Sequence, residues 1–114
     1  MNDLDRYQEF TRTTAIYPTD ASRVNIGLVY CGLKLAGEAG EVAEKIGKAI
    51  RDNSGMIDEP RREALVLELG DVLWYVARLA DELGVAMSQI TARNIDKLSA
   101  RKLAGKLGGS GDLR

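Results

Sequence analysis

Hydrophobic residues recur along the chain at the three- and four-residue spacing of amphipathic helices. The longest such run begins near Asp20, a good helix N-cap, and reaches about Arg51, where Asp-Asn-Ser-Gly ends it. A third helix is predicted to open after Asp58, with Pro60 in its first turn, and to end at Leu83 before a glycine C-cap. The sequence has no strand-like alternation and no hairpin turn signal, so we predict an all-α fold.

Two shorter helices complete the prediction. The first covers Asp3–Thr13 and leads into an irregular segment, Thr14–Thr19, and the fourth covers about Ser88–Lys102. The predicted domain is therefore a four-helix bundle over residues 1–104, followed by a flexible Gly-rich tail over residues 105–114. Four amphipathic helices in 114 residues have a limited core of their own, which favours an oligomer.

Composition excludes several kinds of chemistry and partner. Lys and Arg number 16 against 17 Asp and Glu, so the chain has no basic excess for nucleic-acid phosphates. The sequence contains no His, which excludes Ser-His-Asp and Cys-His catalysis and any His-ligated metal. The single cysteine, Cys31, cannot form an internal disulfide, as expected in a reducing compartment. Since the chain also lacks a bilayer-long apolar run and a signal-peptide core, we expect a cytoplasmic protein with no membrane partner.

Five glycines lie inside the second predicted helix, where they cost roughly 4–5 kcal/mol of helix propensity relative to alanine. Close packing of helices would explain them. Alternatively, Gly37 and Gly40 leave space for a ligand beside nearby carboxylates. Both explanations stay open at this point for the whole set, which is Gly27, Gly32, Gly37, Gly40 and Gly47.

The candidate chemistry lies in two pairs of acidic residues, Glu38 with Glu41 on the second helix and Glu68 with Asp71 on the third. Residues three apart share a helix face, although one such pair alone is usually just solvated charge. In a helical hairpin, the pair centres would lie roughly 18 Å and 16 Å from the connecting turn, at 1.5 Å per residue. The two pairs should therefore converge on one patch.

Four converging carboxylates repel one another unless a cation lies among them. Oxygen ligands without His or Cys suit Mg²⁺ or Mn²⁺ better than Zn²⁺. Because Mg²⁺ usually keeps positions open for water or substrate phosphates, the pattern indicates phosphate chemistry.

Residues 37–44, Gly-Glu-Ala-Gly-Glu-Val-Ala-Glu, and residues 68–75, Glu-Leu-Gly-Asp-Val-Leu-Trp-Tyr, resemble the paired acidic motifs of the MazG-like nucleoside triphosphate pyrophosphohydrolases. The opening residues 7–18 are also similar to short members of that family, and the resemblance extends from about Tyr7 to Arg101. One departure is Gly37, where many members carry an additional glutamate.

The resemblance implies a Mg²⁺-dependent enzyme that cleaves a nucleotide between its α- and β-phosphates, giving a monophosphate and pyrophosphate in nucleotide-pool house-cleaning. It implies homodimers or homotetramers with sites near the subunit interface. It also makes Glu38, Glu41, Glu68 and Asp71 the metal ligands, and Glu38 or Glu41 the residue that orients the attacking water. The substrate contacts that the resemblance implies are Tyr75, Asn94 and Lys97. Helix spacing adds Lys34, one turn before Glu38 and level with Tyr75, and Arg101, on the same face as Asn94 and Lys97.

Ordinary structural roles could also explain these residues. Tyr75 could be a half-buried packing residue, and the fourth helix could present an ordinary solvated basic face. The alternative functions are a phosphoribosyl-ATP pyrophosphohydrolase-like enzyme and a non-catalytic helical oligomerisation or regulatory module. The last is less favoured because all four expected acids are present.

Overall fold

Four α-helices form the fold. The computed structural model of the protein describes residues 2–19 and 25–111, and these contain no strand, which confirms the all-α prediction. Within them, no helix is long and apolar enough to cross a membrane. The helices, in chain order, are α1 (Asp3–Thr14), α2 (Ile26–Asn53), α3 (Glu59–Glu82) and α4 (Met87–Leu103).

Local capping explains where the two long helices begin. Helix α3 starts as predicted, with the Asp58 side chain accepting a hydrogen bond from the Arg61 N–H at 3.1 Å. Helix α2 begins later than predicted, because the side chain of Asn25 caps it by accepting from the Leu28 N–H at 3.2 Å. The predicted cap, Asp20, lies outside the described residues.

The α2–α3 hairpin is the body of the molecule, and α1 and α4 pack against α3. One small cluster of buried apolar residues joins Ala77 and Ala80 of α3 to Met87 of α4, and Cys31 and Ala49 of α2 are buried as well. In the part of the chain that is described, α4 makes no contact with α2. Among the described residues, the face of α2 turned away from α3 is therefore not covered by another helix.

Helix α1 is joined to the start of α4 by polar contacts. The N-cap residue of α4 is Ala86, whose side chain cannot accept a hydrogen bond. Instead, the Met87 N–H donates to Gln8 Oε1 at 2.8 Å, and the Ser88 N–H donates to Asp5 Oδ1 at 3.1 Å. Two side chains of α1 thereby satisfy N–H groups that the first turn of α4 leaves unpaired.

The isolated chain exposes more surface than a compact monomer of the same mass would. Its accessible surface is 8034 Å², whereas a compact monomer of the same mass would expose roughly 6100 Å². Part of the difference is apolar, since Leu33 is 71% exposed, Ile50 64% and Leu67 66%. Exposure of large aliphatic side chains along both helices of the hairpin is typical of a surface that another subunit covers.

The glycines of α2 divide into two groups. A Cβ atom on Gly27 would lie 2.5 Å from Glu82 Oε1, so a larger residue here would have to displace the Glu82 carboxylate, which accepts a hydrogen bond from Tyr17. Among the described residues, no atom lies within 4 Å of a Cβ built at Gly32, Gly37, Gly40 or Gly47. Packing among the described residues therefore does not explain Gly37 and Gly40, which leaves the space beside the carboxylates open for a ligand or a second subunit.

Candidate metal centre

Three of the four predicted carboxylates meet between α2 and α3. Glu38, Glu68 and Asp71 each place one oxygen so that the three oxygens lie within 4.8 Å of one another. We call these three residues the carboxylate cluster. Glu38 and Glu68 are partly buried and Asp71 is exposed, so the cluster opens to solvent on one side. The convergence expected from counting residues along the hairpin is confirmed for these three.

Glu41 is not brought into the carboxylate cluster. It is exposed on α2, one turn beyond Glu38, and the group of three carboxylates found in the described residues does not include it. Its negative charge nevertheless contributes to raising the pKa of Glu38, so it lies near enough to interact. Its assignment as a metal ligand stays a prediction.

The surroundings of Glu38 disfavour its ionised form. Burial raises the pKa of Glu38 above the ordinary value, and the neighbouring charge of Asp71 raises it further. Lys34, one turn earlier on α2, acts in the opposite direction and lowers the Glu38 pKa. A divalent cation among these oxygens would remove the repulsion.

The donor set fits a small, hard cation. An octahedral ion with metal–oxygen distances near 2.1 Å separates its ligand oxygens by roughly 3–4 Å. Oxygens already within 4.8 Å of one another need only modest side-chain rotations to reach that spacing. All three donors are carboxylates, which is the preference of Mg²⁺ and Mn²⁺.

An aromatic cleft opens beside the carboxylate cluster. Its volume is about 390 Å³, and two cluster residues contribute to its wall. The Trp74 and Tyr75 rings meet edge to face with centroids 4.8 Å apart, and Tyr30 lies 6.5 Å from Tyr75. The structure thus places Tyr75 in the same cleft as Glu38 and Asp71. The lining residues are Thr14, Ile16, Tyr30, Glu38, Asp71, Trp74 and Tyr75.

Hydrogen bonds fix the rings of this cleft. Trp74 donates its Nε1–H to Thr14 Oγ1 at 2.8 Å, which ties α3 to the end of α1. Burial, followed by a hydrogen bond with Tyr30, raises the pKa of Tyr75 to about 12, so its phenol stays protonated at neutral pH. Tyr17 stacks on Tyr30 with centroids 5.4 Å apart and extends the aromatic group behind the cleft.

Sequence reasoning missed Tyr30, Thr14 and Ile16 as cleft residues. Tyr30 lies eight residues before Glu38 on α2, so helical spacing could have placed it on a nearby face. Thr14 and Ile16 come from the end of α1 and the segment after it. No periodic signal in the sequence connects that segment to the cleft.

The predicted contacts on α4 lie elsewhere in a single chain. Asn94 and Lys97 line a separate cavity of about 240 Å³ together with Ile90 and Arg93. Arg101 is buried and donates from Nη2 to the carbonyl of Gly111 at 3.2 Å. Among the described residues, neither the carboxylate cluster nor the cavity wall beside Glu38 and Asp71 includes any of these three side chains.

Comparisons with known proteins agree with the geometry. Residues 31–104 match the model of the MazG nucleotide pyrophosphohydrolase domain. The chain is also similar to "Gene 37 protein" of Mycobacterium phage L5, with 48% identity over 112 residues that cover 97% of this chain and 98% of the relative. No solved structure matches the chain. A family match over most of the chain, centred on the helices that carry the carboxylate cluster, shows that this protein belongs to the MazG nucleotide pyrophosphohydrolase family.

Proposed function

We propose that this protein is a Mg²⁺-dependent pyrophosphohydrolase, with Mn²⁺ as a possible substitute, acting on a ribo- or deoxyribonucleoside triphosphate in nucleotide-pool house-cleaning. The observation that carries the proposal is the meeting of Glu38, Glu68 and Asp71 beside an aromatic cleft in a MazG-family chain. The reaction is hydrolysis between the α- and β-phosphates, giving a monophosphate and pyrophosphate.

Residues of α2 and α3 would bind the cation and position the attacking water. The carboxylate cluster would hold the cation, with Glu41 as a fourth ligand from the same helix as Glu38. When bound, Mg²⁺ would neutralise phosphate charge and make water more acidic. Glu38 or Glu41 orients the attacking water and takes its proton. The water oxygen bonds to one phosphorus of the α–β bridge, the bond from that phosphorus to the bridging oxygen breaks, and the monophosphate and pyrophosphate separate.

The aromatic cleft would hold the nucleoside. Its rings offer faces and edges for stacking on a base, and such contacts depend little on which base is present. Tyr75 adds a protonated phenol beside the carboxylate cluster, where it can donate a hydrogen bond to the sugar or base. Lys34 lies one turn before Glu38, close enough to act on the Glu38 pKa, and would pair with phosphate oxygens.

We further propose that the site is completed by a second copy of the chain, in a homodimer or homotetramer. Leu33 and Ile50 of α2 and Leu67 of α3 are more than half exposed on the hairpin. Covering this surface with another subunit would also allow its α4 to approach the cleft. Asn94, Lys97 and Arg101 would then act on the neighbouring subunit's substrate.

Light scattering at micromolar concentration tests the assembly. We expect a mass of at least twice the 12.4 kDa of one chain. The reason is that burying the exposed aliphatic side chains contributes about 25 cal/mol for each Å² removed from water. A stable monomer at that concentration would contradict the assembly and the shared site.

Pyrophosphate release from a panel of nucleotides tests the activity. The wild type should release pyrophosphate and a monophosphate with Mg²⁺ and lose this activity in a chelator. The panel should contain ribo- and deoxyribonucleoside triphosphates together with phosphoribosyl-ATP. Turnover of phosphoribosyl-ATP alone would move the assignment to that class of enzyme. No pyrophosphate from any nucleotide with either Mg²⁺ or Mn²⁺ would leave a non-catalytic helical module.

A further inference from the structure

Lys45 of α2 lies between the carboxylate cluster and the turn that joins α2 to α3. Its spacing from Glu41 suggests an ordinary ion pair between adjacent turns of one helix. The structure shows a different partner, because Lys45 Nζ lies 3.6 Å from Glu68 Oε1 across the hairpin. The Glu68 side chain is only 19% exposed and that of Lys45 is 37% exposed. The ion pair is therefore partly shielded from water.

This ion pair offsets part of the repulsion among the three carboxylates of the cluster. Three carboxylates within 4.8 Å of one another repel unless positive charge lies close by. Among the described residues, Lys45 is the one cation in ion-pair contact with a member of the cluster. Lys34 acts on Glu38 as well, but makes no ion pair within 4 Å with any described residue. Without a metal ion, Lys45 supplies the nearest positive charge.

Lys45 also has space to move. It lines a cavity of about 370 Å³ on the side of the connecting turn, together with Lys48, Asp52 and Arg61. The apolar stem of a lysine can keep its packing while the ammonium group changes position. The ammonium could thus leave Glu68 without a rearrangement of either helix.

We propose that Lys45 is the built-in counter-cation of the metal-free carboxylate cluster, that it competes with the divalent ion for Glu68, and that it is displaced when the ion binds. The proposal rests on the proposed function, since it assumes that the cluster is the metal site. Lys45 is in this sense a positioning residue. It keeps the carboxylates together without metal and sets the affinity for the ion that replaces it.

Calorimetric titration of the full-length protein with Mg²⁺, and separately with Mn²⁺, tests this role without nucleotide. Lys45→Met keeps the stem and removes the charge, so it should lower the Kd for the metal roughly three- to tenfold. Lys45→Arg keeps the charge and should bind metal like the wild type. Lys48→Met is the matched control, because Lys48 pairs with Glu44 at 2.9 Å, outside the carboxylate cluster. Its Kd should equal that of the wild type.

Two results would overturn the inference. One is an unchanged or higher Kd in Lys45→Met, and the other is an equal gain in Lys48→Met, which would indicate a general effect of net charge. Should Lys45→Met fail to fold by circular dichroism, Lys45→Gln provides the same comparison. Pyrophosphate release by the wild type separates the two proposals. An active wild type whose Lys45 variants bind metal unchanged refutes only the role of Lys45, whereas a wild type that binds no divalent ion refutes both.

Discussion

Replacing Asp71 with Asn is expected to reduce pyrophosphate release by at least about a hundredfold. Mutating a residue that only hydrogen-bonds to a metal ligand already lowers metal affinity or activity roughly 10- to 100-fold, and the loss of a ligand itself should cost at least as much. Asp71 supplies one of the oxygens of the carboxylate cluster and lines the aromatic cleft. An amide keeps the shape of the side chain but brings no charge to the cation. The loss should therefore appear in catalysis without a change of fold.

The same change should leave the metal-free protein as stable as the wild type, or more stable. The charge of Asp71 contributes to raising the Glu38 pKa in the folded state. When the pKa of a carboxyl group is higher in the folded state than in the unfolded state, the group's contribution to the stability of the protein is lost as pH rises through the folded pKa. At neutral pH the ionised Glu38 is thus destabilising without metal, and Asp71→Asn removes part of the repulsion.

Melting temperatures of both proteins, in chelator and in saturating Mg²⁺, separate this role from a structural one. With Mg²⁺ the wild type should melt higher than the variant, because only the wild type gains the full free energy of metal binding. Glu44→Gln is a suitable control, since Glu44 pairs with Lys48 outside the cluster and should keep full activity. An Asp71→Asn protein that melts lower in chelator yet keeps its activity would identify Asp71 as a structural acid.

Local signals account for how well the helices could be predicted. Asp58 caps α3 as expected, and Gly84 follows that helix with φ at 71°, a value that glycine adopts without strain. The boundaries of α1, α3 and α4 lie within one residue of the predictions. The start of α2 was predicted wrongly because Asp20 and Asn25 are equally good capping residues. Periodicity alone does not choose between them.

The candidate site could be predicted only as far as helix geometry determines it. Counting residues from the turn placed Glu38, Glu68 and Asp71 at one level, and they meet there. Whether Glu41 joins them depends on the rotation of α2 against α3, which tertiary packing sets. For the same reason Lys45, four residues after Glu41, pairs with Glu68 across the hairpin. The cleft wall depends on contacts across about 60 residues, such as Trp74 with Thr14, and no local spacing indicates these.

A second set of long-range contacts is centred on Asp81, in a charged network between α1 and α3. Asp81 accepts two hydrogen bonds from Arg12, at 2.6 and 2.8 Å, and one from Gln8 at 2.6 Å. It also accepts one at 2.6 Å from Arg78, which is buried and reaches both Thr11 and Tyr17. The network holds α1 and the Tyr17 segment against α3, and so it supports the cleft wall.

Replacing Asp81 with Asn is expected to lower the free energy of unfolding at pH 7 by about 3 kcal/mol, since it leaves the buried Arg78 guanidinium without a compensating charge. Urea denaturation at one fixed protein concentration measures this loss. The control is Asp52→Asn, because Asp52 also accepts two hydrogen bonds from an arginine, Arg51, but its side chain is 48% exposed against 14% for Asp81. Exposed ion pairs contribute little, so the control should unfold like the wild type.

The pH dependence of this difference distinguishes an ion-pair role from simple packing. The hydrogen bonds of Arg12, followed by those of Gln8 and Arg78, lower the pKa of Asp81 to about 2, against an ordinary value of 3.8. A carboxyl group whose pKa is lower in the folded state stabilises the protein above its unfolded pKa and loses that contribution as pH falls through the folded value. The difference between wild type and Asp81→Asn should therefore be constant above about pH 5 and shrink by about 2 kcal/mol as the pH falls to 2. A difference that stays the same across this range would mean that Asp81 stabilises the protein by its shape and not by its charge.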